Sequence, residues 1–134
     1  MASASIEEAV VYSLKNDATI AGYVGKKIYF IDARDRDQPP YIVVTNAAPD
    51  DRPIYFDKPD SRAAAITVEI FTRVKADALA IGKRIVALWN YYRGTIDGTD
   101  IIYSRANGSR GYNSSEFQDN VIFVVELEVE YDLA

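Results

Sequence analysis

The chain has 134 residues, a formal net charge of −5 and a pI of about 4.7, which is the size of one domain with an acidic balance. Apolar residues make up 49% of it, enough to bury a core, and its lysines and arginines are too scattered for the basic patch of a nucleic-acid-binding protein. The absence of cysteine and histidine excludes disulfides, thiolate zinc sites and every Ser–His or Cys–His dyad, which argues against an enzyme.

The first predicted element is a helix over roughly residues 5–16. The capping-box pair Ser5 and Glu8 opens it, and apolar residues at helical spacing continue it. After a break, residues 19–24 predict one more short helical turn that ends at Gly25.

Five strands are predicted from runs of β-branched and aromatic residues, at 27–31, 41–45, 65–72, 101–105 and 121–131. The second strand follows two prolines, which suit a strand entrance because neither can donate to a ladder. The last strand is the longest, and its second half alternates between apolar and acidic residues.

A second helix is predicted from the broad apolar stripe between Ala78 and Tyr92, with Gly94 at the position of a C-terminal cap. Two long polar segments, at about 47–64 and 105–120, are rich in turn-forming residues. We predict that both segments are loops.

The predicted order is α-β-β-β-α-β-β. This order indicates an α+β fold: one domain over residues 1–134, with a mostly antiparallel sheet and two helices packed on one face. The longest strongly apolar run, Val121–Val125, is far shorter than the ~20 residues of a membrane-spanning helix. The N-terminus lacks the features of a secretory signal, so neither export nor a membrane partner is expected.

Tyrosine is unusually frequent, with ten in the chain. Tyrosine is enriched in protein–protein interfaces, where it combines an apolar face with a polar tip. The alternative is that most of these side chains flank a small core.

Three glutamates, Glu126, Glu128 and Glu130, point to one face of the last predicted strand. They are compatible with the wet face of a one-sided sheet, with the wall of a passage, or with an acid/base or metal site. The last requires carboxylates brought together from different elements with their pKa values driven apart. Successive residues on one face of a strand are about 7 Å apart and do not provide that arrangement. No metal or cofactor site is therefore predicted.

Several stretches together resemble one known family. They are "GKKIYF" (Gly25–Phe30), "PPYIVVTN" (Pro39–Asn46), "ITVEIFTRVKADALAIGKRIVALWN" (Ile66–Asn90) and "ELEVEYDL" (Glu126–Leu133), preceded by the helix Ile6–Leu14. In this order they resemble the tail completion proteins of tailed bacteriophages, also called head–tail joining or tail-terminator proteins.

The resemblance implies a structural virion protein without catalytic activity or cofactor. Subunits of that family form a ring, usually a hexamer, which caps the head-proximal end of the tail tube and joins it to the head connector. The implied partners are other copies of the chain, the tail tube protein and the head-completion protein, with DNA only as passing cargo. The implied location is the virion, after assembly in the host cytoplasm.

Within such a ring the sequence suggests two sets of functional residues. An acidic stripe suits a conduit for DNA because carboxylates and phosphates repel, so Glu126, Glu128 and Glu130 are predicted to face the channel. The two polar segments are predicted to contact neighbouring subunits or rings. The candidate contact residues are Asp50, Asp51, Arg52, Tyr55, Arg105, Arg110 and Tyr112.

Two other functions stay open at this stage. A generic protein-binding module of the same fold would show the same composition, and binding to tube ends would separate the two. A metal-dependent hydrolase using Asp and Tyr is the second, and stabilisation by Mg²⁺ or Mn²⁺ would indicate it.

Overall fold

A computed structural model describes residues 5–30, 40–46, 52–55, 58–113 and 121–132. Only the backbone is described at 52–55, 58–61 and 107–113. The described residues form three helices and seven strands. The helices are α1 (Ile6–Lys15), α2 (Ala18–Val24) and α3 (Lys75–Trp89). The strands are β1 (Ile28–Phe30), β2 (Tyr41–Asn46), β3 (Arg52–Tyr55), β4 (Lys58–Thr72), β5 (Gly94–Ile96), β6 (Thr99–Asn113) and β7 (Val121–Asp132).

All seven strands belong to one sheet, in the order β1-β2-β4-β7-β6-β5. β3 pairs with the first part of β4, on the edge that β2 occupies further along. β1 and β2 run parallel, and the other pairs in the described residues are antiparallel. The predicted α+β class with a mostly antiparallel sheet is therefore confirmed.

The hydrophobic core lies between one face of the sheet and the helices. α3 packs across β7, β6 and β4, while α1 packs on β1 and β2. The largest fully buried side chains include Trp89, Leu14, Ile70 and Leu127. They come from α3, α1, β4 and β7, so a single core joins the N-terminal and C-terminal parts of the chain.

The N-terminal helices begin where side-chain oxygens cap free amides. The backbone N–H of Glu8 donates to Ser5 Oγ at 3.2 Å, as the capping-box pattern predicts. Asp17 caps α2 in the same way and accepts from the N–H of Ile20 at 3.1 Å. Residues 18–24 thus form a seven-residue helix, which adds a third helix to the two predicted.

The strands extend into both segments that the sequence predicts to be loops. Residues 52–55 and 58–64 lie in β3 and β4, and residues 105–113 lie in β6. Backbone groups make a ladder whatever the side chains, so a partner strand overrides weak local preference. Pro53 is tolerated because β3 lies at the sheet edge, beside a register shift. The rest of these two segments, including Asp50 and Asp51, and the segment 31–39 lie outside the described residues.

An ion pair fixes α2 against α3. Arg84 donates from Nη2 to Asp17 Oδ1 at 2.7 Å and from Nε to the same carboxylate at 3.1 Å. The Asp17 side chain is 9% exposed and the Arg84 side chain 41%. The hydrogen bond from Arg84 lowers the pKa of Asp17 below its ordinary value of 3.8, and the capping bond from Ile20 acts in the same direction.

The C-terminal end of α3 is tied to two other elements. Trp89 donates from Nε1 to Ser13 Oγ of α1 at 3.1 Å. The fully buried Ser104 of β6 donates its hydroxyl to the carbonyl of Trp89 and accepts from the N–H of Tyr92. These bonds satisfy polar groups that the core would otherwise leave unpaired.

Gly82 allows α3 to lie directly on β7. A Cβ added at Gly82 would lie 2.4 Å from Cε1 of Phe123, whose ring is buried. We predict that Gly82→Ala destabilises the protein by about 1–2 kcal/mol, because overpacking outweighs the better helix propensity of alanine. Urea unfolding at neutral pH measures the difference.

Gly22 of α2 is the matched control, since a Cβ added there meets nothing within 4 Å. Gly22→Ala should leave the free energy of unfolding unchanged or raise it by up to about 1 kcal/mol. Equal stabilisation by both substitutions would contradict the close approach of α3 and β7.

The ion pair predicts a pH-dependent contribution to stability. Since the pKa of Asp17 is lower in the folded protein, this contribution is complete above about 3.8 and is lost as the pH falls through the folded value. Asp17→Asn keeps a capping oxygen and loses the charge. We expect its urea midpoint to be below that of the wild type at pH 7 and to converge with it under acid conditions. An undiminished difference well below pH 3.8 would refute this assignment, and Asp77→Asn in the first turn of α3 is the control.

Candidate channel-facing surface

β7 is the central strand of the sheet. From Val121 to Asp132 it pairs with β4 along one edge and with β6 along the other. Its side chains therefore alternate between the helix side and the opposite side, which we call the far face. Val125, Leu127 and Val129 are at most 1% exposed on the helix side.

The three glutamates lie on the far face. Glu126 and Glu128 are exposed and Glu130 is partly exposed, followed by the partly exposed Asp132. The alternation predicted from the sequence is correct, and these carboxylates reach solvent opposite the helices.

The acidic stripe covers only the second half of β7. In the first half, Ile122 and Val124 on the far face are 5% and 7% exposed. On the same face Tyr41 stacks on Phe71, with ring centroids 4.6 Å apart. Both faces of the sheet are thus buried at this end, which explains why the sequence reads as an unbroken apolar run there.

Small side chains border the stripe on its β4 side. Thr67, Ala65 and Ala63 are the register partners of Glu126, Glu128 and Glu130. The carboxylates consequently stand above their neighbours on that side. A molecule that approaches this part of the far face meets acid groups first.

One cation and one aromatic residue lie on the β6 side of the stripe. Exposed Arg105 is the register partner of Glu128, and exposed Tyr103 is the partner of Glu130. Among the described side chains, no ion pair within 4.0 Å joins Arg105 to a glutamate of the stripe. Among the described side chains of this surface, four acids therefore accompany one base, Arg105, and the balance of charge is negative.

The three carboxylates do not converge on one point. They are successive same-face residues of one strand, at a spacing of about 7 Å, and Glu126 and Glu128 are exposed while Glu130 is partly exposed. Among the side chains that the structure describes, no group of three or more acids is placed to hold a metal ion. The arrangement provides a negative wall and no converging donor set.

The predicted contact residues separate into three groups. Asp50 and Asp51 lie outside the described residues. Arg52 and Tyr55 are the first and last residues of β3, in register with Ala63 and Lys58. Arg105, Arg110 and Tyr112 belong to β6 and not to a loop, in register with Glu128, Val124 and Ile122.

The tyrosines divide between the core and the surface. Tyr41 and Tyr131 are buried, whereas Tyr12, Tyr91 and Tyr103 are 40–69% exposed. The exposed pair Tyr91 and Tyr103 is not among the residues singled out by the sequence as a site. Only the doubled Tyr91-Tyr92 after the helix and the high tyrosine content signal it.

None of the helices in the described residues is long and apolar enough to cross a membrane.

Neither a family model nor a curated protein matches the sequence. The structure is similar to a chain from the virion of a native gene transfer agent particle, with a TM-score of 0.75 and 13% sequence identity. The similarity covers 96% of this chain and 95% of that chain, so the two share a fold over almost their whole lengths.

Proposed function

We propose that this chain is a non-enzymatic structural subunit of a phage-like virion. In that role it forms a ring, a homo-hexamer, at the head-proximal end of the tail tube, caps the tube and joins it to the head connector. The shared fold with a chain of a gene transfer agent virion carries the proposal, because it spans nearly all of both chains.

The negative half of the far face supports a channel role. Exposed carboxylates on the far face stand above small neighbours, and an acidic wall repels the phosphates of DNA. Glu126, Glu128 and Glu130 then line the lumen, and the helices form the outside of the ring. DNA passes without binding, and no cofactor is required.

The proposed protein partners are the tail tube protein, the head-completion protein and neighbouring copies of the chain. Asp50, Asp51, Arg52 and Tyr55 are proposed contacts with these partners, and the last two belong to β3. Arg105, Arg110 and Tyr112 take the same role along β6. The proposed site of the protein is the virion, after assembly in the host cytoplasm.

Oligomeric state and tube capping test this function directly. Native mass spectrometry across a concentration series, with negative-stain images of the same samples, should show closed six-subunit rings with a central hole. Added to growing tail tubes, the protein should stop elongation and appear at tube ends. Tubes that elongate normally in an excess of the protein would refute the terminator role, even if rings form.

Charge reversal tests the channel-facing stripe. A variant with Glu126→Lys, Glu128→Lys and Glu130→Lys should still form rings and cap tubes, because these side chains are outside the core. We expect its rings to bind duplex DNA with strong salt dependence and its particles to eject DNA poorly, since lysines attract phosphates.

Two controls accompany this variant. The triple Glu→Gln variant removes charge without adding attraction and should eject DNA much as the wild type does. Glu8→Lys with Asp77→Lys places new cations on the helix layer and should not affect ejection. Normal ejection by the triple lysine variant would show that the stripe does not face the channel.

A further inference from the structure

Two local irregularities place Tyr91 and Tyr103 side by side on the surface. Tyr91 follows the C-terminal cap of α3 with a left-handed φ of 59° and is 69% exposed. A register shift between Ile101 and Tyr103 in β6 brings Tyr103 opposite Glu130. The two rings meet at a centroid distance of 6.2 Å and an angle of 56°.

The backbone of Tyr91 is held firmly in a conformation that favours glycine. Its N–H donates to the carbonyl of Ser104 at 2.8 Å, and the N–H of Ser104 donates to the carbonyl of Tyr92 at 3.1 Å. Glycine adopts this conformation without strain, and tyrosine does not. A strained, exposed aromatic residue at such a position indicates a use for its ring outside the folded monomer.

These tyrosines lie where the outermost strand of the sheet changes from β5 to β6. β5 and residues 91–92 add one further strand position outside the first part of β6. Beyond Ala106, the stretch Asn107–Asn113 of β6 pairs with β7 and has no other strand neighbour in the described residues. It contains no proline, so this open edge can donate and accept hydrogen bonds.

The opposite edge of the sheet has the complementary step. β1 protrudes by one strand position beyond β2, whereas β3 lies directly on β4 with its outer edge open in the described residues. Register places β1 level with the open part of β6. One row of the sheet is Ile28, Ile42, Ile70, Phe123 and Gly111.

A second row, near the other end of β7, is also five strands wide. It consists of Pro53, Arg62, Tyr131, Ile101 and Gly94. In the first row β1 adds a strand at one edge and β5 is missing at the other. In the second row β5 adds a strand and β1 is missing. The two edges are therefore complementary in these rows. β1 runs antiparallel to β6, because one parallel pairing (β1 with β2) and three antiparallel pairings separate the two strands.

We infer that copies of this chain join head to tail through these two edges. β1 of one copy pairs antiparallel with Asn107–Asn113 of a second copy. The Tyr91–Tyr103 pair of that second copy packs beside β3 of the first copy. Both edges carry exposed aromatic rings, since Phe30 on β1 is 40% exposed. Such heterologous contacts produce a ring when the rotation between copies closes. The inference deepens the proposed function by naming the surfaces that join the subunits.

Mixed cross-linking tests the contact, and the lack of cysteine in the sequence makes the result specific. A Phe30→Cys chain is mixed with a Ser109→Cys chain and oxidised mildly, because register places these two residues in the same row of the sheet. Ser109 pairs with Val125, whose side chain faces the helices as Phe30 does by register. We expect disulfide-linked pairs in the mixtures only, and none with Arg110→Cys, which pairs with a far-face residue.

Several results would overturn the inference. One is a cross-link within the Phe30→Cys chain alone, which would indicate a two-fold contact of β1 edges. Another is the absence of a mixed cross-link both in solution and on capped tube ends. Equal cross-linking of the Arg110→Cys chain would show random collision.

Tyr91→Gly separates the interface from folding. Glycine relieves the left-handed backbone, so the melting temperature of the isolated subunit should stay unchanged or rise. Self-association, measured by sedimentation equilibrium, should weaken by about tenfold or more, as expected for an interface anchor. Leu79→Ala, an exposed apolar residue on α3, is the control and should not change association. Unchanged association of the Tyr91→Gly variant would refute the role of this tyrosine.

These outcomes distinguish the contact from the proposed function. Mixed cross-links with no effect on tube growth would support the edge contact and refute tube capping. Tube capping by the Phe30→Cys and Ser109→Cys chains without any mixed cross-link would do the reverse.

Discussion

β7 is hydrogen-bonded on both edges from Val121 to Asp132, and the remaining structure is arranged around it. Its backbone has no freedom to pair with anything else, so only its side chains distinguish the two faces. A shift of one residue would bring glutamates into the core and Leu127 into water. The burial of Leu127 and its neighbours therefore fixes where the carboxylates point. The acidic surface is as well determined as the core beneath it.

Hydrogen bonds at the C-terminal end of α3 connect the core to the β6 edge of the sheet. Trp89 is held by Ser13 of α1, and its carbonyl by Ser104 of β6. The backbone of Ser104 also forms hydrogen bonds with the backbone of residues 91 and 92. The chain that follows α3 therefore runs alongside β6. The strained Tyr91 conformation follows from this attachment. A buried serine thus decides where an exposed tyrosine lies.

The sequence predicts the parts of this fold in which local signals and tertiary packing agree. The helix 5–16, the long helix ending near Tyr92 and the alternation of the last strand all have a strong period and a matching buried face. The first part of β4 and the last part of β6 do not, because they contain Asn, Gly, Ser or Pro and are strands only where a neighbouring strand pairs with them. The contact of Tyr91 with Tyr103 depends on a bulge and on Ser104, and neither has a periodic signature.

The equal width of the sheet in the rows of Ile28 and Pro53 links the proposed contacts to the proposed channel. A ring of six copies, each five strands wide at about 4.8 Å per strand, has a backbone circumference of about 145 Å and a diameter of about 46 Å before strand tilt widens it. That opening is wider than a DNA duplex even after side chains line it. The proposed ring has the helices outside, and in it the exposed face that carries Glu126, Glu128 and Glu130 would face inward from every copy. Their mutual repulsion opposes ring closure, and at physiological salt it is screened beyond about 8 Å. The proposed edge pairing and the aromatic contacts beside it would have to exceed this repulsion, which gives the exposed Tyr91, Tyr103 and Phe30 a role opposite to that of the acids.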